Sequence, residues 1–132
     1  MATEILLNDG GAPARILPFT ANGAITGGYV VQPGTTEGDV QVAADGSVIT
    51  IGVALTDAAD NGPANIITGH GVILNIYATG ATTAADLMTV SATTGVLETG
   101  TAATLAGAGD EVAVCLETRV TTDLALVKCI MR

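Results

Sequence analysis

The chain has 132 residues, 48% of them hydrophobic, and a formal net charge of −9. That length suits a single domain burying about two thirds of its unfolded surface without metal or disulfide staples, and only Arg15, Arg119, Lys128 and Arg132 are available to meet phosphate, which excludes a nucleic-acid partner. No apolar run approaches the roughly 18 residues a membrane span needs, and the start MATEILLNDGG lacks the basic, apolar pattern of a secretory signal, so no membrane partner and synthesis in a cytoplasm are expected.

In chain order, residues 1–20 differ from the rest. Ile5, Leu6 and Leu7 precede NDGGAPA, and Arg15, Ile16, Leu17, Pro18 and Phe19 follow. Gly10, Gly11, Pro13 and Pro18 exclude a helix, which predicts an extended N-terminal arm over 1–20 ahead of a β-domain over 21–132. A first edge strand of the same domain is the alternative reading. From Gly38 to Leu55 alternating Val and Ile surround Asp45 and Gly46, predicting a hairpin with a type I′ turn that pairs Val42 with Ile49 and Val40 with Ile51. A turn-rich break follows at Asp57 to Pro63. Ile66 to Tyr77 predicts two strands around a Gly69 to Gly71 kink, with Val72, Leu74 and Ile76 on one face.

Thr83 to Met88 is the one helical candidate, a single turn in which Thr83 caps Asp86. Leu87 to Leu97 predicts strand, with a turn at Thr94 and Gly95, and 98–110 reads as a loop of low complexity. The last hairpin joins Glu111–Val120 to Leu124–Met131 through 121–123. That loop places Cys115 opposite Cys129 and puts Val112, Val114 and Leu116 on one apolar face.

Two stretches recur about sixty residues apart. AITGGYVV at 24–31 returns as ATTAADLM at 81–88, and GVAL at 52–55 returns as AVCL at 113–116. Each pair is a small-residue turn launching a strand, followed by a short apolar strand, so the sequence predicts an all-β fold: a small single-domain β-barrel or sandwich of two related halves.

The chemistry-bearing residues are sparse. His70 stands between glycines on the parity of Val72 and Leu74, which favours a structural histidine over a general base. Cys115 and Cys129 lie too far apart in sequence for a zinc motif, and a cross-strand disulfide between them is geometrically conceivable. DAADNG at 57–62 lacks the later bidentate Glu of a calcium loop and reads as a turn. No phosphate-cradling glycine motif is present. No catalytic residue, metal or cofactor is therefore assigned.

The pieces AITGGYVV, IGVALTDAADNG, GVILNI, ATTAADLMTVSATTGVL and EVAVCLE, in that order over 24–117, resemble the small bacteriophage head decoration, or capsid cement, proteins. Tyr29 and Ala85 stand where that family more usually has an acidic residue or glycine. The resemblance implies a β-barrel-like, non-enzymatic structural protein on the capsid exterior of the virion, commonly a homotrimer, that binds the major capsid protein and stabilises the expanded head. On that reading the capsid-binding arm is Ile5, Leu6, Leu7, Arg15, Ile16, Leu17 and Phe19, and Ile66 and Tyr77 serve self-association. Two alternatives stay open: a virion fibre or spike module that binds a host surface through 98–110, and a small enzyme using His70.

Overall fold

The computed structural model describes residues 5–8, 15–100, 111–120 and 123–132. Among these it contains no helix. Its strands are β1 (Leu6–Asn8), β2 (Arg15–Ala21), β3 (Val30–Pro33), β4 (Asp39–Val42), β5 (Gly52–Ala54), β6 (Pro63–Thr68), β7 (Ile73–Ala78), β8 (Leu87–Val90), β9 (Leu97–Thr99), β10 (Ala113–Cys115) and β11 (Ala125–Met131).

Strands β2 to β6 close into a barrel in the order β2-β4-β3-β5-β6. All its neighbours are antiparallel except β2 and β4, which run parallel and meet at Thr20–Asp39 and Ala21–Val40. Strands β7 to β11 repeat this wiring. β7 pairs with β11, β11 with β10, β10 with β8 and β8 with β9, all antiparallel, and a parallel contact at Ala78–Leu97 joins β7 to β9. β1 adds to the remaining side of β7.

The repetition reaches the turns. The bridge Ile25–Ala58 has its counterpart in Thr82–Arg119. Positive φ angles at Gly23, Gly28 and Gly38 recur at Gly80, Ala85 and Gly95. In the launching turn, Gly28 N–H donates to Ala54 C=O at 2.8 Å, and Ala85 N–H donates to Cys115 C=O at 2.7 Å. The internal echo read from the sequence is thus a duplicated fold, with alanine in one copy where the left-handed backbone suits glycine.

Strands β3, β5 and β6 divide their side chains between two cores, as strand periodicity allows. Val31, Ala54 and Ile66 fill the first barrel together with Val40 and Ile25. Their sequence neighbours Val30, Val53 and Ile67 point out of that barrel and join the larger cluster with Leu74, Ile76, Met88, Leu97, Val127 and Cys129. Burying each such Val, Leu or Ile contributes about 1.5–3 kcal/mol, so the contact between the halves is itself core. Tyr77 N–H donates to Gly28 C=O at 3.0 Å and Val30 N–H to Gly95 C=O at 2.8 Å across this contact. There the rings of Tyr29 and Tyr77 meet edge to face, centroids 5.5 Å apart. A side chain at Gly95 would come within 2.7 Å of the Tyr29 ring, which explains a glycine beside that aromatic pair.

Several expectations change. Asp45 and Gly46 form a turn, with Ser47 N–H donating to Ala44 C=O at 3.0 Å, but no hairpin. β3 lies between β4 and β5, so Val42 pairs with Val31 and Val40 with Pro33, while Ile51 N–H donates to Val31 C=O. Barrel closure overrides the local hairpin because β4 must reach β2 on its other side. The turn at 83–86 leads into β8 with no helix: the Asp86 carboxylate accepts from Thr83 N–H at 2.8 Å. On β10 it is Ala113 and Cys115 that are fully buried, while Leu116 is exposed. Residues 98–100 belong to β9 and its continuation, and the rest of the expected loop lies outside the described residues. The opposition of Cys115 to Cys129 is as expected, and Val72, Leu74 and Ile76 share the buried face.

Candidate interaction surface

The segment expected as an arm contributes a strand to each half. Leu6 pairs with Leu74 and Asn8 with Ile73, Asn75 N–H donates to Ile5 C=O at 2.7 Å, and Ile5 is buried in the larger core. Arg15 to Thr20 form a wall of the first barrel, antiparallel to Thr68–Pro63.

β2 has two different sides. Ala21 N–H donates to Gly62 C=O at 2.9 Å, so the alternation of an antiparallel ladder gives residues 15, 17, 19 and 21 to β6 and turns the main-chain groups of 16, 18 and 20 the other way. Thr20 uses that side, its N–H reaching Gly38 C=O at 3.1 Å. Among the described residues no strand pairs there with Ile16 or Pro18, because β4 meets β2 only at Thr20 and Ala21. This explains Pro18 within a strand: its missing N–H would face away from β6, so no ladder bond is lost.

Beside this edge the barrel mouth opens as a crevice of about 560 Å³. Leu17, Phe19, Pro33 and Ile51 form its apolar wall, and Glu37 and Asp39 stand at the β3–β4 turn. Leu17 is 38% exposed and Ile16 is 47% exposed on the opposite face of the strand. Val48 and Ile49, at 59% and 54%, are the other large apolar side chains exposed on the first half. The sequence had assigned both to a hairpin. Their exposure follows from that hairpin's absence, and the acidic turn between Gly34 and Gly38 was the available signal for the crevice rim.

Of the residues expected in self-association, Ile66 is wholly enclosed within its own barrel and has no surface to offer a second copy. Tyr77 is half-buried against Tyr29. On the second half, Leu116, Val120 and Leu124 are exposed along the β10–β11 connection.

The remaining candidates for chemistry are dispersed. His70 is exposed on the turn joining β6 to β7, the link between the halves, and not in a strand. It lines a cleft of about 290 Å³ with Glu111, Arg132, Thr50 and Thr68. Among the described residues no group of His, Cys, Asp and Glu could hold a metal ion, and no helix is long and apolar enough to cross a membrane. Asp57 and Asp60 of the turn-rich break accept main-chain N–H bonds from Gly27 and Gly23, each at 2.8 Å. Their carboxylates tie down loops. Cys115 and Cys129 are buried free thiols; burial, reinforced by Cys115, pushes the Cys129 thiol well above its ordinary range, the opposite of what activates a nucleophile.

No protein-family profile matches the chain, and no curated protein matches it in sequence. Among solved structures, the chain is similar to the N-terminal base of the head fibre protein gp8.5 of bacteriophage phi29, with a TM-score of 0.70 and 11% identity over 91% of this chain and 95% of that one. At that identity the likeness is one of fold, and it spans both halves: the duplicated, edge-paired β architecture described above is one that a phage head fibre base also adopts.

Proposed function

We propose that this chain is a non-enzymatic structural virion protein seated on the exterior of a bacteriophage head, where it binds the major capsid protein as a homotrimer and stabilises the expanded shell. The observation that carries this reading is the shared fold with a head fibre base over nearly the whole of both chains. The chemistry agrees with it. The titratable groups are spent on loop geometry or dispersed, and the apolar side chains left outside the core lie on strand edges and loops, where flat protein contacts form. Many weak contacts suffice for such a role, since an oligomer held at one foot presents the others at high effective concentration.

A role as the base of a head fibre is a second reading, favoured by the identity of that structural neighbour. The two differ in occupancy: a cement protein fills a lattice axis throughout the shell, whereas a fibre base carries a distal projection.

The test is reconstitution. Purified protein is mixed with expanded heads lacking it, then followed by co-sedimentation and cryo-microscopy, and the decorated heads are challenged by heat. Ordered density on the outer surface and a raised temperature of DNA release are expected. Because β2 is a barrel wall that cannot be cut away, attachment is probed at the surface by Ile16→Asp and by the pair Val48→Asp with Ile49→Asp, each of which is expected to weaken attachment while far-UV circular dichroism is unchanged. Heads that remain bare at saturating protein, or a turned-over substrate, would refute the reading.

A further inference from the structure

The duplication carries one inference that goes beyond the head reading. β7 and β2 are equivalent strands, and each meets its parallel neighbour only at its C-terminal end, at Ala78–Leu97 in one half and Thr20–Asp39 and Ala21–Val40 in the other. In the second half the edge left over is closed by β1, which lies antiparallel to β7 opposite Ile73 and Leu74. The equivalent edge of the first half, Ile16 to Pro18, has no partner strand among the described residues. We infer that this edge of β2, with the apolar crevice beside it, is a strand-accepting site for an extended segment of another protein that is basic at its N-terminal end.

The backbone sets what such a segment must supply. Ile16 offers an N–H and a C=O, and Pro18 a C=O alone, so the incoming strand provides one acceptor and two donors in an antiparallel register like that of β1 on β7. Its alternate side chains fall over Leu17, Phe19 and Ile51 in the crevice, as Ile5 falls into the core of the other half. Charge sets the polarity. The N-terminal end of an antiparallel strand lies beside the C-terminal end of β2, next to Glu37 and Asp39, and its other end lies beside the exposed Arg15. A second copy of this chain is a poor occupant: residues 5–8 already serve β7, and the residue before them, Glu4, would bring a carboxylate to the acidic rim.

The experiment uses the full chain, labelled with nitrogen-15, and two capped peptides of alternating isoleucine and threonine. One begins with lysine and ends with glutamate; the other has the two charges exchanged. Amide exchange at Ile16 is expected to be fast in the free protein and slowed by the lysine-first peptide, with saturable shifts confined to residues 15–20 and 33–39 and to Ile51 and Thr68 of the crevice wall. The exchanged peptide is expected to bind about tenfold more weakly. Leu17→Asp should abolish binding, and Glu37→Lys, at an exposed position of the β3–β4 turn, should narrow or invert the preference without touching the barrel. Protection of Ile16 in the protein alone, absence of shifts at millimolar peptide, equal binding of the two peptides by both wild type and Glu37→Lys, or self-association abolished by Leu17→Asp would each overturn the inference. Its failure is distinct from failure of the head reading, since peptide capture and head decoration are scored separately.

Discussion

The launching turns of the two halves make an internal control on backbone strain. Gly28 and Ala85 hold the same place in the duplicated fold, with φ of 89° and 79°, and donate equivalent hydrogen bonds. An L-residue in the left-handed region costs about 1–2 kcal/mol, which glycine escapes, while the extra freedom of glycine in the unfolded chain costs back roughly 0.4–1 kcal/mol. Ala85 is exposed, so removing its methyl forfeits little packing, and Ala85→Gly is expected to stabilise by about 0.5–1 kcal/mol. The reverse change in the other half, Gly28→Ala, adds that strain to a crowded site where the new methyl would lie 3.0 Å from both Leu126 Cδ2 and Tyr77 Cδ2. It should destabilise by about 2 kcal/mol or more. Urea titration followed by far-UV circular dichroism measures both. A stabilisation of that size raises Tm by about 2–4 °C for a chain of this length. Should Ala85→Gly lower the urea midpoint, or Gly28→Ala leave it unchanged, the equivalence of the turns would not extend to their energetics.

Other outcomes follow from single contacts. Asp57→Ala removes the acceptor for Gly27 N–H and should cost about 1 kcal/mol, whereas Asp57→Thr should be nearly neutral, because Thr118 Oγ1 already accepts the equivalent bond from Ala84 N–H in the other half; the comparison of urea midpoints decides it. Leu74→Ala, at a side chain with no exposed surface in the larger core, should cost about 2–5 kcal/mol by the same assay. The Cys129 thiol is raised in the folded protein, so above the ordinary thiol range near pH 8.5 the unfolded chain loses a proton that the folded one keeps. Stability should therefore be fully present below that range and fall as pH rises beyond it. In Cys129→Ala the decline should be shallower, and alkylation of the wild type at pH 8 should require unfolding.

How far the sequence was legible depended on the range of the interactions involved. The duplication was readable because it repeats turn residues and apolar spacing, as in 24–31 with 81–88 and 52–55 with 113–116, which local chemistry fixes; the matching glycines at 23 with 80 and 38 with 95 emerge only from the backbone angles. The opposition of Cys115 to Cys129 was readable because β10 and β11 are neighbours in chain and in sheet. The hairpin around Asp45 failed for the converse reason: Val40 and Val42 satisfy a local alternation, yet their partners Pro33 and Val31 come from a preceding strand, and closure with β2 decides the order. The candidate site was the least legible. Ile16, Leu17 and Phe19 are legible as apolar anchors of an extended segment, but their arrangement as one wall of a barrel, with a side that no described strand pairs, depends on β6 from far along the chain. Ile66 looked like a strand-end residue and is instead the centre of a core.

Each half is closed into a ring by a short seam, the one parallel pairing among its described strands, with two residue pairs between β2 and β4 and one between β7 and β9. Parallel pairing is the weaker kind per residue, while the long antiparallel ladders of β2 with β6 and of β7 with β11 hold the other edges of the same strands. Under heat or shear the body should therefore part first along these seams, springing open like two cuffs unclasped while their backs stay whole, and reclasp without the chain having lost its order.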